Sequence, residues 1–161
     1  MSTFSKDHLA TSVTGIGKLS EFLAAGAKPR DRWGVGVELE KLVVDAATGE
    51  AAEYARIATL LERLGSAGGW EKIYEDGRII ALKGPGSSVT LEPGGQLELS
   101  GRLCADLFCS HGDFAGHVRH ATAIADELGL TFLGLGTQPF STLEQIAWVP
   151  TQAANGNSDQ P

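Results

Sequence analysis

Apolar and polar side chains alternate with a period of two over several short stretches, and these are separated by stripes at helical spacing. From Ser87 to Gly101, Val89 and Leu91 alternate with Ser88, Thr90 and Glu92. Beyond Pro93-Gly94-Gly95, Leu97 and Leu99 alternate with Gln96, Glu98 and Ser100. This is the periodicity of an extended strand with one apolar face, and it puts Gln96, Glu98 and Ser100 together on the other face. The Pro93-Gly94-Gly95 interruption predicts a bulge, where proline is tolerated and glycine allows a ligand close to the backbone. Trp33 to Val44 predicts a second strand of the same kind, with Glu38 and Glu40 projecting together while Val35, Val37 and Leu39 point away.

Three segments carry the helical period instead. Thr14 to Leu23 has Ile16, Leu19, Phe22 and Leu23 on one stripe and ends near Gly26 and Pro29. Glu53 to Leu64 places Tyr54, Ile57, Leu60, Leu61 and Leu64 on one side, with Gly65 as the expected stop. Leu103 to Leu128 predicts a long helix, with Leu107, Phe114, Val118, Ala121 and Ala125 roughly on one face and Gly129 ending it. Between them, Trp70–Tyr74 and Arg78–Lys83 flank Glu75-Asp76-Gly77, a strong hairpin signal. Thr131 to Leu135 predicts a last strand. The sum is an α+β fold, an antiparallel sheet with flanking helices. From Thr151 onward no large apolar residue occurs, and residues 151–161 are expected to form a disordered tail.

Composition narrows the function classes. The 161 residues suffice for one domain with a substantial core. A net charge of -7, with 13 scattered basic residues, argues against a nucleic-acid face. No apolar run has the length of a membrane helix, and Leu19 to Ala27 is too short, and carries Glu21, to be a signal peptide. Two cysteines without an export signal point to a reducing cytoplasm.

The candidate chemistry is oxygen chemistry. Glu38, Glu40, Glu92 and Glu98, gathered on neighbouring strand faces, repel one another unless protonated or bridged by a cation, and oxygen ligands without His or Cys fit Mg²⁺ better than zinc. Cys104, Cys109, His111, His117 and His120 do not have the spacing of a zinc signature and are assigned structural roles, although His117 and His120 can share a helix face. Gly34-Val35-Gly36 lacks the third glycine of a dinucleotide fingerprint, and Gly84-Pro85-Gly86-Ser87-Ser88 lacks the lysine of a P-loop. Lys41 and Lys83 remain as residues that could meet a phosphate.

Taken in order, five blocks resemble a known family: Ala27-Lys28-Pro29-Arg30; Trp33 followed by Gly36-Val37-Glu38-Leu39-Glu40-Lys41; Gly77 to Lys83; Val89 to Gly101; and Thr131 to Gly136. They are similar to the N-terminal part of glutamate–cysteine ligase of the plant and proteobacterial type, over about residues 14–150. The resemblance implies that residues 1–150 belong to a glutamine-synthetase-like catalytic fold whose acidic sheet face holds Mg²⁺ and ATP. It implies ATP-dependent joining of the glutamate γ-carboxylate to cysteine, through a γ-glutamyl phosphate, in the first step of glutathione synthesis. By carry-over, Glu38, Glu40, Glu92 and Glu98 are metal ligands and Gln96 and Ser100 line the glutamate pocket; Lys83, read from its strand-end position, is the candidate for nucleotide. The family often has His where this chain has Leu39, a position turned away from the acidic face. Because the similarity stops near Pro150, the chain is expected to be incomplete alone. It would then be active with a complementing chain or as an oligomer, or else be a non-catalytic fragment that binds Mg²⁺ or nucleotide. Glutamate, cysteine and ATP are the implied partners, with neither nucleic acid nor membrane among them.

Overall fold

A computed structural model describes residues 12–146 and 148–149. The first eleven residues and the expected tail at 151–161 lie outside the described residues. The chain divides into two compact units, Met1–Gly34 and Val35–Pro161. In the first, helix α1 spans Ile16–Ala25 and a short 3-10 turn spans Arg30–Arg32. There the Trp33 indole donates to the Lys28 carbonyl, and the Arg30 guanidinium stacks 5.8 Å from its ring centre.

The second unit is built on a six-stranded sheet. Its strands are β1 (Glu38–Asp45), β2 (Glu71–Glu75), β3 (Arg78–Lys83), β4 (Ser88–Leu91), β5 (Leu97–Ser100) and β6 (Leu130–Leu133). They lie in the order β2-β3-β4-β5-β1-β6, with every neighbouring pair antiparallel. Helices α2 (Tyr54–Gly68) and α3 (Leu107–Glu127) supply the helical layer. Residues opposite one another in an antiparallel pair point to the same face, so register sorts the side chains. One row runs Leu39, Leu99, Val89, Leu82, and the adjacent row runs Glu40, Glu98, Thr90, Ala81. The first row faces the core with Val43, Leu91 and Leu97, packed against Ile57, Leu60, Leu61 and Leu64 of α2 and Ala125 of α3. The second row is the acidic face.

Several expectations shift in detail. The first strand begins at Glu38, not Trp33; upstream, Val35 makes only an isolated bridge to Cys104. Helix α2 carries the expected apolar stripe but does not stop at Gly65. A Cβ there would come within 2.9 Å of Leu82 and Lys72, so Gly65 is a close-packing residue, and the helix ends at Gly69 in the left-handed region (φ 68°). The 70–83 hairpin forms as expected, turning on Asp76 and Gly77, both at positive φ.

Pro93-Gly94-Gly95 is a turn rather than a bulge within one strand. The Gly95 amide donates to the Glu92 carbonyl, the Glu92 amide donates to the Gln96 carbonyl, and Gly95 has φ 81°. The 87–101 stretch is therefore a hairpin, β4 and β5, paired Thr90 to Glu98. Helix α3 starts at Leu107, after the Asp106 side chain caps the Cys109 amide, so Leu103 to Asp106 precede it. Its buried residues are Ser110, His117, Ala121 and Ala125, while Leu107 is exposed. The last strand closes at Leu133, leaving Gly134 to Gly136 outside it. No described helix is long and apolar enough to cross a membrane.

Candidate functional site

The acidic face follows from the register of β1 on β5. Glu40 stands opposite Glu98, and Glu38 stands opposite Ser100. Glu98 is only 6% exposed, and its Oε1 accepts a hydrogen bond from Ser100 Oγ at 2.9 Å. Ser100 is paired in turn with Ser88, and Ser88 with Lys83, so the exposed Lys83 amine stands on the same face as Glu38. Glu92 sits at the start of the 92–96 turn. Burial pushes its carboxyl above the usual range, helped by the facing Glu98 through hydrogen bonding and charge, and by Glu40 through charge.

Two polar atoms on this side lack partners among the described residues: Thr90 Oγ1, beside Glu98, and Gln96 Oε1. Buried oxygens without partners are costly, and here they lie among carboxylates that repel one another. Glu40, Glu92 and Gln96 line a cavity of about 440 Å³, whose opposite wall is made by Thr137, Gln138, Leu143, Ile146 and Trp148. That wall is pinned in place. Val149 donates its amide to the Pro93 carbonyl at 2.8 Å, Ser141 Oγ accepts from the Ala51 amide at 2.9 Å, and Gln138 Nε2 donates to the Gly49 carbonyl.

The structure thus brings Glu40, Glu92, Glu98, Gln96 and Ser100 to one region, with Glu38 and Lys83 farther along the same face. Among the described residues, no three His, Cys, Asp or Glu side chains converge as a ready metal cage. The donor chemistry nevertheless fits a hard cation, with carboxylate oxygens and an unpartnered amide oxygen supplying the ligands.

Lys41 does not belong to this face. One residue after Glu40, it points to the covered side, 5% exposed, with Nζ donating to the Leu39 carbonyl at 3.2 Å. Burial lowers its pKa from 10.5 to about 8, against a raising effect from Glu98. A phosphate-binding role for Lys41 is therefore withdrawn, because strand alternation carries it under the helices. Cys104 and His117 are buried, whereas His111 and His120 are exposed. Cys104 and Cys109 are joined by a disulfide across the start of α3, in contrast to the free thiols of a reducing compartment. His117 is buried on α3, and burial together with nearby Lys41 lowers its pKa to about 4.

Sequence reasoning missed the Thr137 to Trp148 wall. Its one usable signal is the exposed apolar character of Phe140, Leu143 and Trp148 in a segment with no strand or helix period.

Known proteins show the same relationship. Residues 34–153 match the family model described as glutamate-cysteine ligase family 2. The chain is 38% identical over 132 residues to the chloroplastic glutamate–cysteine ligase of Brassica juncea, which covers 82% of this chain and 26% of that protein. The chloroplastic enzymes of Nicotiana tabacum and Arabidopsis thaliana are also 38% identical, over 82% of this chain and 25% of theirs. The chain spans about a quarter of the length of these relatives. With most of its second unit inside the family model and its acidic hairpin in register, the chain belongs to glutamate–cysteine ligase family 2.

Proposed function

We propose that this chain supplies the cation- and glutamate-binding face of an ATP-dependent glutamate–cysteine ligase, as part of a glutamine-synthetase-like catalytic fold. The observation that carries the reading is the Glu40–Glu98 cross-strand pair, with Glu92 beside it and unpartnered oxygens on Thr90 and Gln96. Glu40, Glu92 and Glu98, with Glu38 at the far end of the row, would hold Mg²⁺. A bound magnesium ion neutralises triphosphate charge and the charge that develops during phosphoryl transfer.

The remaining work falls to the chain's own side chains. Ser100 orients the Glu98 carboxylate, and Gln96 offers its carboxamide to the ammonium or α-carboxylate of glutamate in the 440 Å³ cavity. Trp148 and Leu143 supply apolar surface to its wall. Lys83, on the same face, is positioned to neutralise a phosphate at the outer end of the row. In this reaction the glutamate γ-carboxylate oxygen attacks the γ-phosphorus of ATP and releases ADP. The cysteine amine then attacks the acyl carbon, expels phosphate and loses a proton.

In a second reading the same acidic face binds Mg²⁺ and nucleotide without turnover, or works only with a complementing chain or a second copy. One experiment bears on both. Calorimetric titration with Mg²⁺ and ATP should show binding that weakens about tenfold or more in Glu92→Gln and Glu98→Gln, each a lost charged contact. Equal affinity in these variants, with folding verified by circular dichroism, would remove the acidic face from the proposal. Product assays on the same samples then separate turnover from binding alone.

A further inference from the structure

A second cleft, of about 350 Å³, opens on the helix-covered side of the sheet. Leu99 helps to line it, and Leu99 points away from the face that carries its neighbour Glu98. We propose that this cleft binds a small carboxylic acid with an apolar, preferably aromatic, body.

The apolar end is a built wall. Trp70 lies between Gly68 and Gly84, and a Cβ at Gly68 would collide with the indole Nε1, while one at Gly84 would come within 2.8 Å of Cζ3. Only hydrogen at both positions leaves room for the ring, which presents a flat surface beside Leu64 and Leu99. The polar end holds His117, His120 and Arg102. His117 is 92% buried, since 8% of its surface is exposed, and its Nε2 has no hydrogen-bond partner among the described residues. A buried ring nitrogen bordering an open cleft is completed by a ligand that hydrogen-bonds to it. Arg102 adds a fixed positive charge and His120 a second imidazole.

The one acid in the cleft, Asp113, is already engaged. It accepts from the Arg102 amide at 3.2 Å and pairs with the Arg102 Nε at 3.7 Å, which steadies the guanidinium and leaves its terminal N–H groups for a carboxylate. Beside Asp113 and His117, the α3 backbone is bare. Gly112 and Gly116 line the cleft, and a Cβ at either would meet no atom within 4 Å. The cleft volume is at the small end of the range for organic-ligand sites.

The test uses benzoate as the probe, with benzyl alcohol as the same body without the charge and acetate as the charge without the body. Nuclear magnetic resonance of the full chain, labelled with ¹⁵N at histidine and tryptophan, reads the His117 ring nitrogens and the Trp70 indole. Benzoate should shift both signals saturably, while benzyl alcohol and acetate should do so at least about tenfold more weakly. Arg102→Gln, at a side chain 56% exposed, should weaken benzoate about tenfold through loss of a charged hydrogen bond. Gly116→Leu fills the open space, raises helix propensity and should abolish the shifts. Equal binding of benzyl alcohol overturns the carboxylate class. Absence of saturable shifts with benzoate, or full binding in folded Gly116→Leu, overturns the site.

Discussion

Replacing Lys41 by Met should make the protein more stable. Lys41 is 5% exposed between the sheet and α3, with a single hydrogen bond, to the Leu39 carbonyl. Its pKa falls from 10.5 to about 8 because burial penalises the ammonium more than the Glu98 charge supports it. At about 1.4 kcal/mol per factor of ten, keeping the amine charged at neutral pH costs about 3 kcal/mol. Methionine keeps most of the buried stem and removes the charge, at the loss of a hydrogen bond contributing about 1 kcal/mol. A net gain of about 2 kcal/mol is expected in urea unfolding at pH 7, seen as a higher midpoint with an unchanged slope.

The pH dependence fixes the cause. Between about pH 8 and 10.5 the unfolded chain binds the Lys41 proton and the native chain releases it, so wild-type stability rises with pH over that window through this group. The His117 ring is neutral in both proteins across pH 7 to 10, so the advantage of Lys41→Met should shrink to near zero by pH 10. His117, whose pKa the Lys41 charge depresses, should titrate higher in the variant. A variant less stable than wild type at pH 7, or an advantage equal at pH 7 and pH 10, would refute the reasoning.

Acid should destabilise the protein through His117. Its folded pKa of about 4 lies below the ordinary 6.5, so the stability it contributes is complete above pH 6.5 and is lost as pH falls toward 4. About 2 kcal/mol should be gone by pH 5, and a His117→Gln variant followed by urea unfolding should lack that component. Gly49→Ala should lower the unfolding free energy measured in urea by about 2 kcal/mol, because φ is 76° and the new Cβ would sit 2.6 Å from the Phe140 ring. Since Gln138 donates to the Gly49 carbonyl, the same substitution should also weaken Mg²⁺–ATP binding, if only by displacing the cavity wall.

The chain's two-residue period made the acidic face legible, because Glu38 and Glu40, and Glu98 and Ser100, are separated by one residue and register then had only to align them. The core stripe of α2 was legible for the same reason at the helical period. The unreadable parts are those that depend on what packs against an element from far along the chain. Gly65 has the form of a helix stop, yet the approach of Leu82 and Lys72 makes it an interior contact. Pro93-Gly94-Gly95 is equally compatible with a bulge or a turn until Thr90 is known to pair with Glu98.

Lys41 shows the limit most plainly. Alternation already assigned it to the face opposite Glu40, but a lysine next to two glutamates suggests phosphate binding only if that face is wet. The face is dry because α3 brings His117 against it from more than seventy positions along the chain. The same packing divides the chemistry of one short strand. Glu38 and Glu40 face the proposed ligase site, while Lys41 and His117 lie on the helix side, where the second cleft also opens. A ligand behind β5 would touch Leu99, the residue between Glu98 and Ser100, so benzoate binding and Mg²⁺–ATP binding can be measured on one sample to read whether the two faces of the sheet are coupled.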